Sequence, residues 1–157
     1  MIKLTRIDDR LLHGQVAFTW TPALGIDCLL IANDKAAKDS FLKLTFGLAK
    51  PAGAQLLIKS LTETVVFLQD EKSRHLKILL LVTNVKDAHF LAGELPEITA
   101  INFGGIRGKE GSRLITKAIA VTEEDITLIM EMLGKGIELE IRQVPTDSKT
   151  LIAPLIQ

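Results

Sequence analysis

One short run near the amino end, Arg6-Ile7-Asp8-Asp9-Arg10-Leu11-Leu12-His13-Gly14-Gln15, combines two arginines, two aspartates and a histidine. An unperturbed imidazole titrates near pH ~6.5, so much of it is neutral and nucleophilic at cytosolic pH. A neutral imidazole can attack phosphorus and carry a phosphoryl group as a phosphoramidate. That task needs cationic and N–H donors for three phosphoryl oxygens, and a group that fixes the ring tautomer. Arg10 stands three residues before His13 and can supply charge. Gly14 lets backbone come close, and the helix start around Gln15 offers free N–H groups that favour an anion. Asp8 or Asp9 can orient the ring or an arginine. The same residue types also suit a solvated ion-pair cluster around a packing histidine; the position at the end of the first strand favours function.

A second run, Gly104-Gly105-Ile106-Arg107-Gly108-Lys109-Glu110-Gly111-Ser112-Arg113, holds four glycines and three cations. Such a loop can wrap an anion with backbone N–H groups, and it equally suits a mobile turn charged for solubility. It is not a Walker A loop, because Phe103 stands where the first glycine should be and Glu110 follows Lys109. Other candidates are weaker. Cys28 opens an apolar run and reads as core. His75 and His89 read as surface residues, and Trp20 as packing between helix and sheet. Three histidines and one cysteine without ligand spacing give no expectation of a metal, and no cofactor is expected. Aromatics are only 4% of the chain and are not interleaved with basic residues, which disfavours nucleic acid as a partner.

The elements that must position these runs follow from periodicity. Strands are expected at Ile2–Ile7, Cys28–Ala32, Gln55–Lys59, Ile78–Val82, Ile98–Phe103, Ala118–Val121 and Ile137–Arg142. Gly104-Gly105 is expected to interrupt the fifth of these. Helical periods cover Gln15–Leu24, ending or bending near Pro22, and Lys35–Ala49 after an Asn33-Asp34 start. Further helices are expected at Thr62–Gln69, from Thr83-Asn84 to about Gly93, and at Ile126–Leu133 behind Thr122. Gly134 and Gly136 should close the last. The alternation predicts an α/β fold: a single-domain, open, mostly parallel β-sheet with helices on both faces, spanning residues 1–157. In such sheets ligands gather beyond the carboxyl ends of the strands, where both runs fall.

Composition agrees. The 157 residues are 47% hydrophobic and carry 19 Lys+Arg against 19 Asp+Glu, a formal net charge of zero. The balance excludes a whole-surface electrostatic partner such as nucleic acid or anionic lipid. One cysteine excludes an internal disulfide framework and fits a reducing compartment. The amino end is charged from its third residue and has no apolar signal region. The longest aliphatic stretches fall far short of the roughly 20 residues that span a bilayer. The expectation is a cytosolic globular protein.

The run from Arg6 to Val16 closely resembles the signature of the IIB component of the mannose/fructose/sorbose family of the bacterial phosphoenolpyruvate-dependent sugar phosphotransferase system. The resemblance extends to Trp20, Asn33-Asp34, Lys77–Asn84, Asn102-Phe103-Gly104-Gly105, Gly136–Arg142 and Pro145-Thr146-Asp147. It implies a phosphohistidine carrier that takes a phosphoryl group from a IIA protein or domain. The carrier would pass that group to a sugar held by the membrane components IIC and IID. It places the phosphoryl-accepting histidine at His13, with Nδ1 the expected nitrogen, the loop arginine at Arg10 and the strand-end aspartate at Asp8. Gly14, Gln15, Gly104, Gly105 and Lys109 are the implied phosphate contacts. After the glycine pair the family often carries Arg-x-Gly-Lys, whereas this chain has Lys109-Glu110-Gly111-Ser112, so the cation there is Lys109, Arg107 or Arg113. The implied place is the cytoplasm, peripheral to the membrane through IIC and IID. Sugar identity is not implied, and a homodimer is compatible with the chain without being indicated by it.

Two other functions fit parts of the pattern. An aspartyl-phosphate receiver domain would need an aspartate at the end of the third strand, where Ile58-Lys59-Ser60 stands. A non-catalytic anion- or nucleotide-binding module would use the Gly104–Ser112 loop and would not need the imidazole.

Overall fold

Two aliphatic runs, β2 (Cys28–Ala32) and β4 (Ile78–Val82), are buried at every position, as strands at the centre of a parallel sheet must be. In the computed structural model, which describes residues 1–156, they join β1 (Ile2–Asp8), β3 (Gln55–Lys59), β5 (Ala100–Gly105), β8 (Glu138–Ile141) and β9 (Thr150–Leu151) in one sheet. The order is β3-β2-β4-β1-β5-β8-β9. All neighbours are parallel except β8 and β9. Helices cover both faces. On one, α4 (Leu61–Gln69), α5 (Val85–Glu94) and α6 (Glu123–Gly134) pack Val65, Ala88, Leu91, Ile129 and Met132 against Ile7, Leu30, Leu80 and Phe103. On the other, helical residues 14–23, α2 (Asp34–Ala37) and α3 (Ser40–Ala49) pack Val16, Trp20, Ala36 and Phe46 against Leu29, Ile31, Leu79 and Leu81. The expected α/β class and mostly parallel sheet are therefore observed.

Several element boundaries differ from expectation, each for a local reason. The expected helix Lys35–Ala49 is two helices. The Asp39 carboxylate accepts the N–H groups of Phe41 and Leu42, starting α3 anew after Lys38 has ended α2. Asn33 caps α2 as expected. The helix over residues 14–23 holds a π-helical turn, Val16–Trp20, before α1 (Thr21–Ala23), and ends just past Pro22. The glycine pair does not interrupt β5 but closes it, because the strand runs to Gly105. The expected strand near Ala118–Val121 is β7 (Ala120–Thr122), paired antiparallel with β6 (Ser112–Leu114) in a separate ribbon. Thr122 and Asp125 form a capping box on α6, and Gly134 is that helix's last residue, with Gly136 in the left-handed region beyond it. The edge strand β9 and α7 (Ala153–Ile156) have no counterpart in the sequence reading; both are too short for a periodic signal.

Candidate functional site

β1 is the middle of the site because it lies between β4 and β5 and delivers two polar residues to the Trp20 face of the sheet, Arg6 and Asp8. Side chains alternate along a strand, so Ile7 fills the opposite core while Arg6 and Asp8 share a side. Both are wholly buried. Beyond Asp8 the chain turns sharply. The Leu11 N–H donates to the Asp8 carbonyl at 2.8 Å, and the Arg10 N–H donates to Asp8 Oδ1 at 3.1 Å. Leu11 takes a φ of 56°, a left-handed conformation that costs a residue with a Cβ about 1–2 kcal/mol. The buried side chains of Leu11 and Leu12 offset that cost, since fully burying a leucine contributes roughly 1.5–3 kcal/mol. The turn brings His13 back onto Asp8, the last residue of the strand it just left.

The His13 ring Nε2 lies 2.9 Å from Asp8 Oδ2. A carboxylate only accepts hydrogen bonds, and this one already takes N–H donors from Arg6 and Arg10, so Nε2 is the protonated nitrogen. Nδ1 has no hydrogen-bond partner among the described residues. His13 precedes the helix; the first helical bond runs from the Ala17 N–H to the His13 carbonyl at 3.0 Å. The N–H groups of Gly14, Gln15 and Val16 are therefore left over at the helix start. Arg10 is half exposed, with Nε 3.8 Å from Asp8 Oδ1.

Beside Arg10 opens a cleft of about 490 Å³ lined by Gly104, Gly105, Arg107, Lys117 and Gln143 among others. Asp9 ties its two sides: Oδ2 accepts the Arg107 N–H at 2.8 Å and its Nε at 3.1 Å. Asp9's own N–H donates to the Gly105 carbonyl at 2.9 Å.

Beneath the loop is a buried polar row. Arg6 pairs in register with Asn102 on β5, and Asn102 with Glu140 on β8. Arg6 Nη1 donates to Asn102 Oδ1 at 2.7 Å and to the Arg142 carbonyl at 3.1 Å, while Nη2 donates to Asp8 Oδ2 at 3.1 Å. Asn102 Nδ2 donates to Glu140 Oε1 at 3.1 Å, and Arg142 Nη2 to the same oxygen at 2.9 Å. The Trp20 ring lies under both guanidinium groups, 5.5 Å from that of Arg6 and 5.1 Å from that of Arg142. Burial pulls the Arg6 guanidinium down from its ordinary value, opposed by the neighbouring Asp8 and Glu140 carboxylates. A Cβ on Gly104 would fall within the Arg6 guanidinium. Gly105 carries no such requirement, since a Cβ there would sit 3.7 Å from Asp8 Oδ1.

The family model of the PTS system sorbose subfamily IIB component matches residues 2–157. The chain belongs to that family of phosphotransferase subunits. Among its relatives, the mannose-specific EIIAB component of Escherichia coli K12 is 33% identical over 99% of this chain and 48% of its own length. The chain thus spans about half the length of that relative. A probable phosphotransferase enzyme IIB component of Streptococcus pyogenes is 31% identical, with 99% of each chain covered. The crystal structure of the IIBSor domain of the sorbose permease from Klebsiella pneumoniae superposes with a TM-score of 0.94 at 29% identity, covering 99% of this chain and 96% of that one.

In this IIB fold the sequence-singled residues fall in two groups. Asp8 meets the His13 ring, Arg10 stands beside Asp8, and Gly14 and Gln15 open the helix that follows, while Gly104 and Gly105 come alongside through the register of β1 and β5. Lys109 stands apart: its backbone N–H and carbonyl both bond the Ser112 hydroxyl in a turn, and it is absent from the cleft lining. Arg10, Arg107 and Lys117 are the cations on that lining, while Arg113 sits exposed on β6. Arg6, a candidate for a solvated ion pair, is instead sealed in the sheet. Asn102, Glu140 and Arg142 were not singled out as polar partners of the site. Cys28 is core as expected, its thiol pushed up to about 11 by burial. His75 is exposed, and the His89 ring meets Glu131 at 2.7 Å. Among the described residues no helix is long and apolar enough to cross a membrane.

Proposed function

We propose that this IIB chain carries a phosphoryl group on Nδ1 of His13, received from a IIA protein or domain and passed to a sugar held by the membrane components IIC and IID. The observation that supports this most is the 2.9 Å contact of Nε2 with Asp8 Oδ2, which assigns the N–H of the neutral ring to Nε2 and leaves Nδ1 without a protein partner next to the helix start.

The Nδ1 lone pair attacks phosphorus in line, a P–N bond forms, and the bond to the donor's nitrogen breaks. The donor histidine departs with that electron pair. The His13 ring now carries formal positive charge, since Nε2 keeps its proton, and the Asp8 carboxylate stabilises it. Arg10 and the free N–H groups of Gly14, Gln15 and Val16 meet the phosphoryl oxygens. On transfer to a sugar hydroxyl the P–Nδ1 bond breaks, its electrons return to the ring, and the hydroxyl proton goes to solvent. The protein's part is placement and electrostatic complementarity, as is general for phosphoryl transfer. The EIIAB name of the E. coli relative, about twice this chain's length, suits a IIA unit as donor. Such a carrier works in the cytoplasm, at the inner face of the membrane when it meets IIC and IID.

The test uses phosphoenolpyruvate, the general phosphotransferase proteins and a cognate IIA. The label on this chain is expected to be acid-labile, base-stable and missing from His13→Ala. Label persisting in His13→Ala ends the assignment.

A further inference from the structure

Asp8 Oδ2 serves two donors at once, His13 Nε2 at 2.9 Å and Arg6 Nη2 at 3.1 Å. A carboxylate at hydrogen-bond distance from an imidazole favours the doubly protonated ring, which has no lone pair on Nδ1 and cannot accept a phosphoryl group. The arrangement therefore carries a conflict. Asp8 must hold the ring and support its positive charge after phosphorylation, yet must not lock a second proton onto it beforehand.

We propose that Arg6 resolves this conflict as a positioning residue: by claiming the same oxygen of Asp8, it limits the negative charge that His13 feels and keeps Nδ1 free. The inference rests on the reading of His13 as phosphoryl acceptor. Arg6 is built for this task and for nothing at the surface. Its side chain is wholly buried, its other terminal nitrogen is fixed by Asn102 and the Arg142 carbonyl, and its Nε has no partner. Gly104 exists as glycine so that the guanidinium can lie across β5. The charged groups on the elements meeting at the ring are Arg6, Asp8 and Arg10 from β1 and its loop, Glu140 from β8, and Arg142 just beyond it. The Asp9–Arg107 pair and Lys117 stand at the cleft. The helix over residues 14–23 contributes none. Of the cations, Arg6 alone is wholly buried and shares the oxygen that the ring uses.

Two readouts test this together: the His13 ring nitrogen signals followed by NMR against pH, and the initial rate of label acceptance against pH. In Arg6→Gln, which keeps an amide donor but loses the charge, both midpoints are expected to move to higher pH by about one unit. In Arg6→Lys, which keeps the charge, both should remain near the wild-type positions even if the rate falls. A purely structural role would lower the rate in both variants and move neither midpoint. Unmoved midpoints in Arg6→Gln, or an equal shift in Arg6→Lys, overturn the proposal. Should Arg6→Gln fail to fold, Glu140→Gln serves instead. It removes a carboxylate from the row that holds Arg6, so the midpoints must move down or the idea is wrong. The ring titration is read on the unphosphorylated protein, so a failed acceptor assignment shows separately, as label surviving in His13→Ala.

Discussion

Asp8 accepts three N–H donors on two oxygens: Arg6 and His13 on Oδ2, and the Arg10 backbone on Oδ1. An amide in its place has one accepting oxygen and one donating nitrogen, so it cannot satisfy all three. In Asp8→Asn, an NH₂ turned towards the ring would force the proton onto Nδ1 and abolish the nucleophile. The label-acceptance rate is expected to fall about 10⁴-fold, the size seen when a carboxylate that fixes a catalytic histidine's tautomer becomes an amide. Circular dichroism should show a folded chain, and an unchanged acceptance rate would remove Asp8 from the mechanism. His13, Arg10 and Asp8 were legible in the sequence because one six-residue turn holds all of them. Arg6 was visible only as a neighbour. Its burial depends on Asn102 and Glu140, which lie 96 and 134 positions along the chain and arrive only through strand register.

Among the elements, the boundary at Asp39 separates local propensity from periodicity. Apolar spacing runs on through Lys35–Ala49, yet the Asp39 carboxylate holds the N–H groups of Phe41 and Leu42 at 2.9 and 3.1 Å. A side chain that bonds the backbone this way competes with helix interior and favours a start. Asp39→Ala is expected to lower unfolding stability by about 1 kcal/mol, measured by urea denaturation, with phosphoryl acceptance unaffected because α3 contributes nothing to the ring. A wild-type denaturation midpoint would mean that the two short helices gain nothing from the cap. The end of β5 was misplaced for a different reason. A glycine pair reads as a strand breaker, whereas Gly104 stays in the strand because a buried guanidinium occupies the space of its side chain. That requirement comes from β1 and is invisible within β5 itself.

For the whole molecule, a net charge of zero is uninformative about where charge sits, and the sheet shows how local the balance is. Arg6 and Arg142 oppose Asp8 and Glu140 in one connected set spanning β1, β5 and β8. Glu140 is buried and lies at the far end of that row from His13. Glu140→Gln retains its shape and an accepting oxygen for Asn102, but leaves two cations against the single carboxylate of Asp8. Removing one partner of a buried ion pair costs about 3 kcal/mol or more, so a clear fall in the urea midpoint is expected. The chemistry should respond with the opposite sign to Arg6→Gln. The set gains positive charge, the protonated ring is disfavoured, and the His13 titration midpoint moves to lower pH. Loss of stability alone cannot choose a direction for that midpoint. A shift upward in Glu140→Gln would mean that the row supports the sheet mechanically without conveying charge to the ring.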